Sequence, residues 1–187
     1  IASVKGYLET VLNNPDLDKR KQHYFVEKAY NQSERLTQLV NDIALLNKIE
    51  ESSELYAREK IGVKKLVDEV VESFSDAIRN KNIQVEVSVN QSITVNANYS
   101  LIFSVFRNLM ENSLNYGGDG IAINISNYHE DSTFQYFSFS DSGPGVEEEH
   151  LNRIFERFYR VDSGRSRKQG GTGLGLALVQ KLTKCLG

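Results

Sequence analysis

Three asparagines, Asn108, Asn112 and Asn115, stand at i, i+4 and i+7 in a stretch with helical patterning, and Tyr116 follows directly. That spacing puts all three amides on one helix face. Asparagine is a mediocre helix former, so three on one face are a local conflict of the kind that marks functional sites. An amide oxygen is a hard, neutral ligand that suits Mg²⁺ when substrate phosphates supply the remaining charge. The alternative is a solvated polar face. A second feature, Asp141-Ser142-Gly143-Pro144-Gly145, closes a strand-like run. Asp141 there can accept from an exocyclic amine such as that of adenine, and Gly143 and Gly145 allow a flat ring to approach. The alternative is an ordinary turn. A third, Gly170-Gly171-Thr172-Gly173-Leu174-Gly175-Leu176, opens the last helical stretch. Backbone amides of a glycine-rich loop at a helix N-terminus can cradle phosphate. The dinucleotide and P-loop patterns both fail here: the third glycine of the first is missing, and Leu176-Ala177 follows Gly175 where the second needs Lys and a hydroxyl residue. Just before the loop stand Arg160, Arg165, Arg167 and Lys168, cations that can meet phosphate oxygens or simply be solvated. Phe155, Phe158 and Tyr159 form either a hinge or docking anchor beside that segment, or plain core, which is the reading preferred for Phe155.

The elements that position these residues fall into two unequal parts. Ile1, Val4, Leu8 and Val11 share one helix face, and Asn13-Asn14-Pro15 ends that helix. A second helix runs from about Asp18 to Glu50, with Val26, Ala29, Leu36, Leu39, Val40, Ile43 and Leu46 on its apolar face. At ~1.5 Å per residue it is about 48 Å long. The short connection makes the pair an antiparallel hairpin, and the length of its stripe predicts a partner, most simply a second copy in a four-helix bundle. The competing expectation is a hairpin packed on its own second domain. Glu51 to Glu54 reads as a linker. Beyond it the patterns predict a helix from Val63 to Ile78, a strand from Ile83 to Val89 and a short strand at Ile93 to Val95. A helix from Ser100 to Tyr116, a strand at Ile121 to Ile125 and another through Phe134, Tyr136 and Phe139 with a one-residue slip come next. Helices at Leu151 to Tyr159 and Leu174 to Leu182 complete the set. Strands and helices mix without a regular βαβ repeat, which predicts an α+β sheet covered by helices on one face.

Composition bounds the rest. With 187 residues, 40% hydrophobic and 25% charged, this is a folded chain of one domain, or of one domain plus an extension. The single cysteine, Cys185, excludes an internal disulfide and fits a reducing compartment. His23, His129 and His150 lack zinc-ligand spacing. A net charge of -3 argues against a general nucleic-acid binder. No apolar run is long enough to span a bilayer and no signal peptide is present, so the expectation is a soluble segment.

Taken in order, Asn108 to Tyr116, Asp141 to Gly145, Phe155 to Phe158 and Gly171 to Gly175 resemble the asparagine box, first glycine box, phenylalanine box and second glycine box of bacterial sensor histidine kinases. The first fifty residues resemble that family's dimerisation hairpin. The resemblance implies a hairpin over 1–50 forming a dimeric four-helix bundle. It also implies an ATP-binding α/β sandwich over 55–187, of the type shared with gyrase and heat-shock chaperones. By this resemblance Asn112 is the main Mg²⁺ ligand, with Asn108 near the metal and phosphates, and Tyr116 lies beside the nucleotide. Asn115 stands where the family often has Lys. Asp141 matches the adenine-reading carboxylate, followed by Gly143 and Gly145. Tyr159, Arg160, Arg165 and Lys168 match the lid over the phosphates. Gly171, Thr172, Gly173, Leu174, Gly175 and Leu176 match its far hinge and phosphate-facing amides.

The implied cofactors are ATP and Mg²⁺. The implied reaction moves the γ-phosphoryl to a histidine and then to an aspartate on a response-regulator receiver domain. The family's phosphoacceptor motif is expected within about two helical turns upstream of Ile1, and none of this chain's histidines carries it. Further strands are expected past Gly187. The resemblance also implies a cytoplasmic portion of a membrane-anchored parent protein. Two rivals stand beside this reading. An ATP-hydrolysing clamp of the gyrase type carries Glu where Asn108 stands, and an amide cannot replace that general base. A non-enzymatic dimeric scaffold would rest on the helical stripe alone.

Overall fold

A computed structural model describes residues 2–51, 57–131, 133–161 and 171–186. The expected linker at Ser52 to Glu54, and Arg165, Arg167, Lys168 and Gly170, lie outside the described residues. The chain divides into two compact units, Ile1–Asn47 and Lys48–Gly187.

The first unit is helical. Helix α1 (Ala2–Leu12) and helix α2 (Lys19–Glu51) are joined by a turn closed by Leu17 N–H donating to the Asn14 carbonyl at 3.0 Å. The Tyr7 and Phe25 rings lie 6.2 Å apart, so α1 folds back along the start of α2. Of the predicted apolar face, Ala29 and Leu46 are buried, whereas Val26, Val40 and Ile43 are exposed.

The second unit is α+β. Strand β1 (Glu59–Gly62) runs straight into helix α3 (Val63–Ser73), followed by helix α4 (Ser75–Asn80), strand β2 (Gln84–Ser88) and strand β3 (Thr94–Ala97). Helix α5 (Tyr99–Tyr116), strands β4 (Ala122–Glu130) and β5 (Gln135–Asp141), the short helix α6 (Glu148–Leu151) and helix α7 (Gly175–Leu186) complete it. The strands form two sheets rather than the one expected. β1 pairs antiparallel with β3, and β4 lies between a parallel β2 and an antiparallel β5. The β1 strand escapes the sequence pattern because only Ile61 of its four residues is buried.

One apolar core holds the unit together. Val63, Leu66, Val67 and Val70 of α3, Ile102, Phe106, Met110 and Leu114 of α5, and Ile123 and Ile125 of β4 are all buried in it. Asn124, between the two isoleucines, faces outward, so the alternation puts one face of this sheet against the helices.

Three sequence expectations are corrected. The helix predicted from Val63 to Ile78 breaks at Phe74, where Ser73 Oγ donates back to the Val70 carbonyl at 2.6 Å. The helix predicted over Leu151 to Tyr159 is only the short α6 followed by turns. The one-residue slip belongs to β4, where Tyr128 is extra between the pairs Asn127–Phe137 and His129–Tyr136.

Candidate nucleotide site

Helix α5 carries the asparagine row. Its start is capped by Asn98, whose side chain accepts from Leu101 N–H at 3.2 Å and donates to the Ala57 carbonyl at 3.1 Å. Its end is gripped from the residue that follows α4: the Lys81 ammonium donates to the Leu114 carbonyl, as a cation at a helix C-terminus should. The asparagine face is not uniformly solvated. Asn108 is buried, with its amide nitrogen donating to the Ser104 carbonyl at 2.7 Å, while Asn112 and Asn115 are half-buried. Asn108 Oδ1 lies 3.1 Å from where a Cβ on Gly175 would sit, so the first residue of α7 rests against this amide. A Cβ there would make a tight contact, and the amide would have to give by a few tenths of an ångström.

Asp141 ends β5, opposite Ile123 of β4. Its two carboxylate oxygens are held from different sides. Oδ1 accepts from Gly143 N–H at 2.9 Å, and Oδ2 accepts from the Ser113 hydroxyl at 2.6 Å. Ser142 extends the ladder: its N–H donates to the Ala122 carbonyl and its hydroxyl accepts from Ala122 N–H, both at 2.9 Å. Gly143 packs on the end of α5, since a Cβ there would stand 2.7 Å from Gly117 Cα. Gly145 has φ +74° and needs its glycine. The strand end, the end of α5 and the start of α7 therefore converge.

The segments flanking 162–170 are also placed. Gly171 lies under the Tyr116 hydroxyl, close enough that a Cβ would overlap it. Gly173, at φ +72°, accepts through its carbonyl from Phe158 N–H at 2.8 Å, and Phe158 itself has φ +65°. Thr172 Oγ1 accepts from Leu174 N–H at 3.2 Å, Leu174 is buried, and Gly175 and Leu176 begin α7 half-buried. Tyr159 is turned toward α6: its hydroxyl meets His150 Nδ1 at 2.7 Å, and the Arg153 guanidinium lies 4.1 Å from its ring centre. Phe155, expected in the core, is exposed.

Arg160 is half-buried. Its Nε and Nη2 are buried and have no hydrogen-bond partner among the described residues. A buried guanidinium of this kind suits an anion, because charge-assisted hydrogen bonds to phosphate oxygens satisfy it. With the neutral amide oxygens of the asparagine row and the glycine at Asn108, these donors and acceptors fit a metal-bound phosphate ester. Sequence reasoning missed Ser113, Gly117 and Lys81. A hydroxyl inside an otherwise apolar helix face was the available signal for Ser113, and the Gly117-Gly118 pair for Gly117.

Residues 97–187 match the family described as histidine kinase-, DNA gyrase B- and HSP90-like ATPases. The chain is 35% identical to the signal transduction histidine-protein kinase BaeS of Escherichia coli over 80% of its own length and 32% of that protein. It is 29% identical to the sensor histidine kinase WalK of Bacillus subtilis over 100% of its length and 31% of that protein. Over these residues the chain is similar to the ATPase domain of sensor histidine kinases. It spans about a third of the length of these two histidine kinases. Among solved structures, Acinetobacter baumannii histidine kinase AdeS matches with a TM-score of 0.76 at 24% identity, over 97% of this chain and 82% of that one. Full-length ShkA in complex with AMPPNP matches at 0.74 and 24%, over 98% and 38%. Histidine kinase ThkA in complex with the response regulator TrrA matches at 0.64 and 23%, over 85% and 48%. At these identities the three structures show a shared histidine-kinase fold. Among the described residues no helix is long and apolar enough to cross a membrane.

Proposed function

We propose that this chain binds Mg-ATP and drives transfer of its γ-phosphoryl to a histidine outside the chain, for relay to an aspartate of a response-regulator receiver domain. The observation that carries this is the convergence at one place of a doubly held carboxylate, Asp141, the asparagine row of α5 and the glycine-rich start of α7. In this reading Asp141 accepts from the adenine amine, Gly143 and Gly145 admit the ring, and Tyr116 lies beside the nucleotide. Asn112 holds Mg²⁺ with Asn108 nearby, and Asn115 lines the same face. When bound, the metal neutralises phosphate charge. Arg160, Tyr159, Arg165 and Lys168 cover the phosphates, and Gly171 through Leu176 turn backbone toward them.

The protein's part is positioning and charge neutralisation, as phosphoryl transfer requires. An imidazole nitrogen forms the bond to γ-phosphorus as the bond to the bridging oxygen breaks. ADP leaves with that electron pair, and the imidazole proton passes to solvent. Asn108 supports transfer over hydrolysis, because its amide cannot serve as a general base for water. The parent protein works as a homodimer through the 1–50 hairpin, with no nucleic-acid partner, as the cytoplasmic portion of a membrane-anchored sensor. The AMPPNP and response-regulator complexes of the structural neighbours, and the names of the relatives, support this reading.

Titration calorimetry of the chain with Mg-ATP tests it. Saturable heat is expected, with Asp141→Asn weaker by about tenfold or more, as expected when a hydrogen bond to a charged group is lost. No saturable heat, or equal affinity in Asp141→Asn, would overturn the proposal.

A further inference from the structure

Ser113 is 3% exposed, sits in the middle of the site-bearing part of α5, and is one of the few buried polar side chains among the described residues. A serine inside a helix ordinarily turns its hydroxyl to the carbonyl one turn back. This one instead crosses to another element and donates to Asp141 Oδ2 at 2.6 Å. Among the described residues the other carboxylate oxygen, Oδ1, takes only the local hydrogen bond from Gly143 N–H that any turn of this kind makes. Asp141 itself is exposed. With the turn contact alone, its carboxylate could rotate about its last torsion. With a second donor on the second oxygen, from a buried and rigid helix, the plane of the carboxylate is fixed. Each oxygen still keeps a lone pair for a ligand.

We infer that Ser113 is a positioning residue for base recognition: it aims the Asp141 carboxylate, so that the preference for a base bearing an exocyclic amine belongs to the Ser113–Asp141 pair and not to Asp141 alone. This rests on the nucleotide reading above. A carboxylate offers only acceptors, so it rewards an amine and repels a carbonyl at the same place on the ring. That discrimination depends on direction, because a hydrogen bond weakens steeply when its angle fails. Ser113 sets the direction without touching the base.

The test compares two ligands that differ only in the amine: ATP, and purine riboside triphosphate, which lacks it. Binding of each to the chain is measured for the wild type, Ser113→Ala, Ser113→Thr and Asp141→Asn. Ser113→Ala keeps the helix and nearly the volume, and its melting temperature is recorded alongside. The wild type is expected to prefer ATP by about tenfold, the worth of one hydrogen bond to a charged group. Ser113→Ala is expected to weaken ATP by about fivefold or more while leaving the analogue within about twofold, so that most of the preference disappears. Ser113→Thr, which keeps the hydroxyl, is expected to retain it. An equal loss for both ligands in Ser113→Ala would make Ser113 a mere brace between α5 and β5 and overturn the inference. So would an unchanged preference. A wild-type chain that binds neither ligand overturns the nucleotide reading itself, and a wild type that binds both equally overturns the role of Asp141. Those two outcomes are distinct from failure at Ser113.

Discussion

Gly143 and Gly171 both lie in glycine-rich boxes, yet a methyl group on each would meet different neighbours. At Gly143 it would stand 2.7 Å from Gly117 Cα, 2.8 Å from Asp141 Oδ1 and 3.0 Å from the Gly117 carbonyl. Two of these are backbone, so the end of α5 or the β5 turn must shift. Gly143→Ala is therefore expected to cost about 1–3 kcal/mol, read as a lower urea midpoint. At Gly171 the obstacle is the tip of the Tyr116 side chain, which is 41% exposed and can swing away. Gly171→Ala is expected to change stability by less than about 0.5 kcal/mol. Equal costs at the two positions would contradict this account of the packing. The residues legible in the sequence were those whose chemistry is odd for their place: asparagines in a helix, a carboxylate before glycines. Ser113 offered a weaker signal, a lone hydroxyl among apolar helix residues, and its partner, which lies on another element, was not legible. Phe155 misled in the opposite way, since an aromatic side chain suggests core whether or not its backbone carries it there.

Helices α3 and α5 pack together over the sheet, and the Tyr99 hydroxyl, donating to the Glu69 carboxylate, helps to tie them. That hydrogen bond, with desolvation and the negative charge, pushes the Tyr99 phenol up to about 12 from its ordinary 10.0. The fold thus favours the protonated phenol. Its contribution is whole below pH 10 and is lost as pH rises from there through about 12. Tyr99→Phe is expected to cost about 1 kcal/mol at neutral pH. It should also flatten the loss of stability across that alkaline window, measured by urea unfolding as a function of pH. The same alkaline slope in both proteins would mean that other groups dominate it. At this scale periodicity found α1, α2, α5 and α7. It ran past the break at Phe74, because neither glycine nor proline marks it, and it missed β1, in which Ile61 alone of four residues is buried.

At the scale of the whole molecule, the first unit keeps a row of apolar side chains in water. Leu12 is 78% exposed, Val40 65% and Val26 47%, with Leu8 and Ile43 just over 40%. A groove of about 540 Å³ lined by Val4, Leu8, Leu12 and Leu36 runs between the two helices. An apolar stripe of this length is the surface a second hairpin covers in a four-helix bundle. A Val40→Glu, Ile43→Glu double variant is accordingly expected to sediment as a monomer where the wild type sediments as a dimer. Its affinity for Mg-ATP should stay within about twofold, since the second unit has its own core. A wild type that is monomeric at high concentration would remove the argument. The sequence showed this stripe directly, because long helices repeat their pattern many times.

The extra residue in β4 has a meaning for how this domain can change in length. Side chains alternate along a strand, so adding or removing one residue between Ile123 and Asn127 would turn Ile123 to the opposite face of its sheet and move it out of its pairing with Asp141. Tyr128, itself unpaired, stands between that stretch and the end of the hairpin, where Asp131 N–H donates to the Phe134 carbonyl. The hairpin is thus divided into a tip, where insertions and deletions go unnoticed by the site, and a base only five residue pairs long, where none can be accommodated.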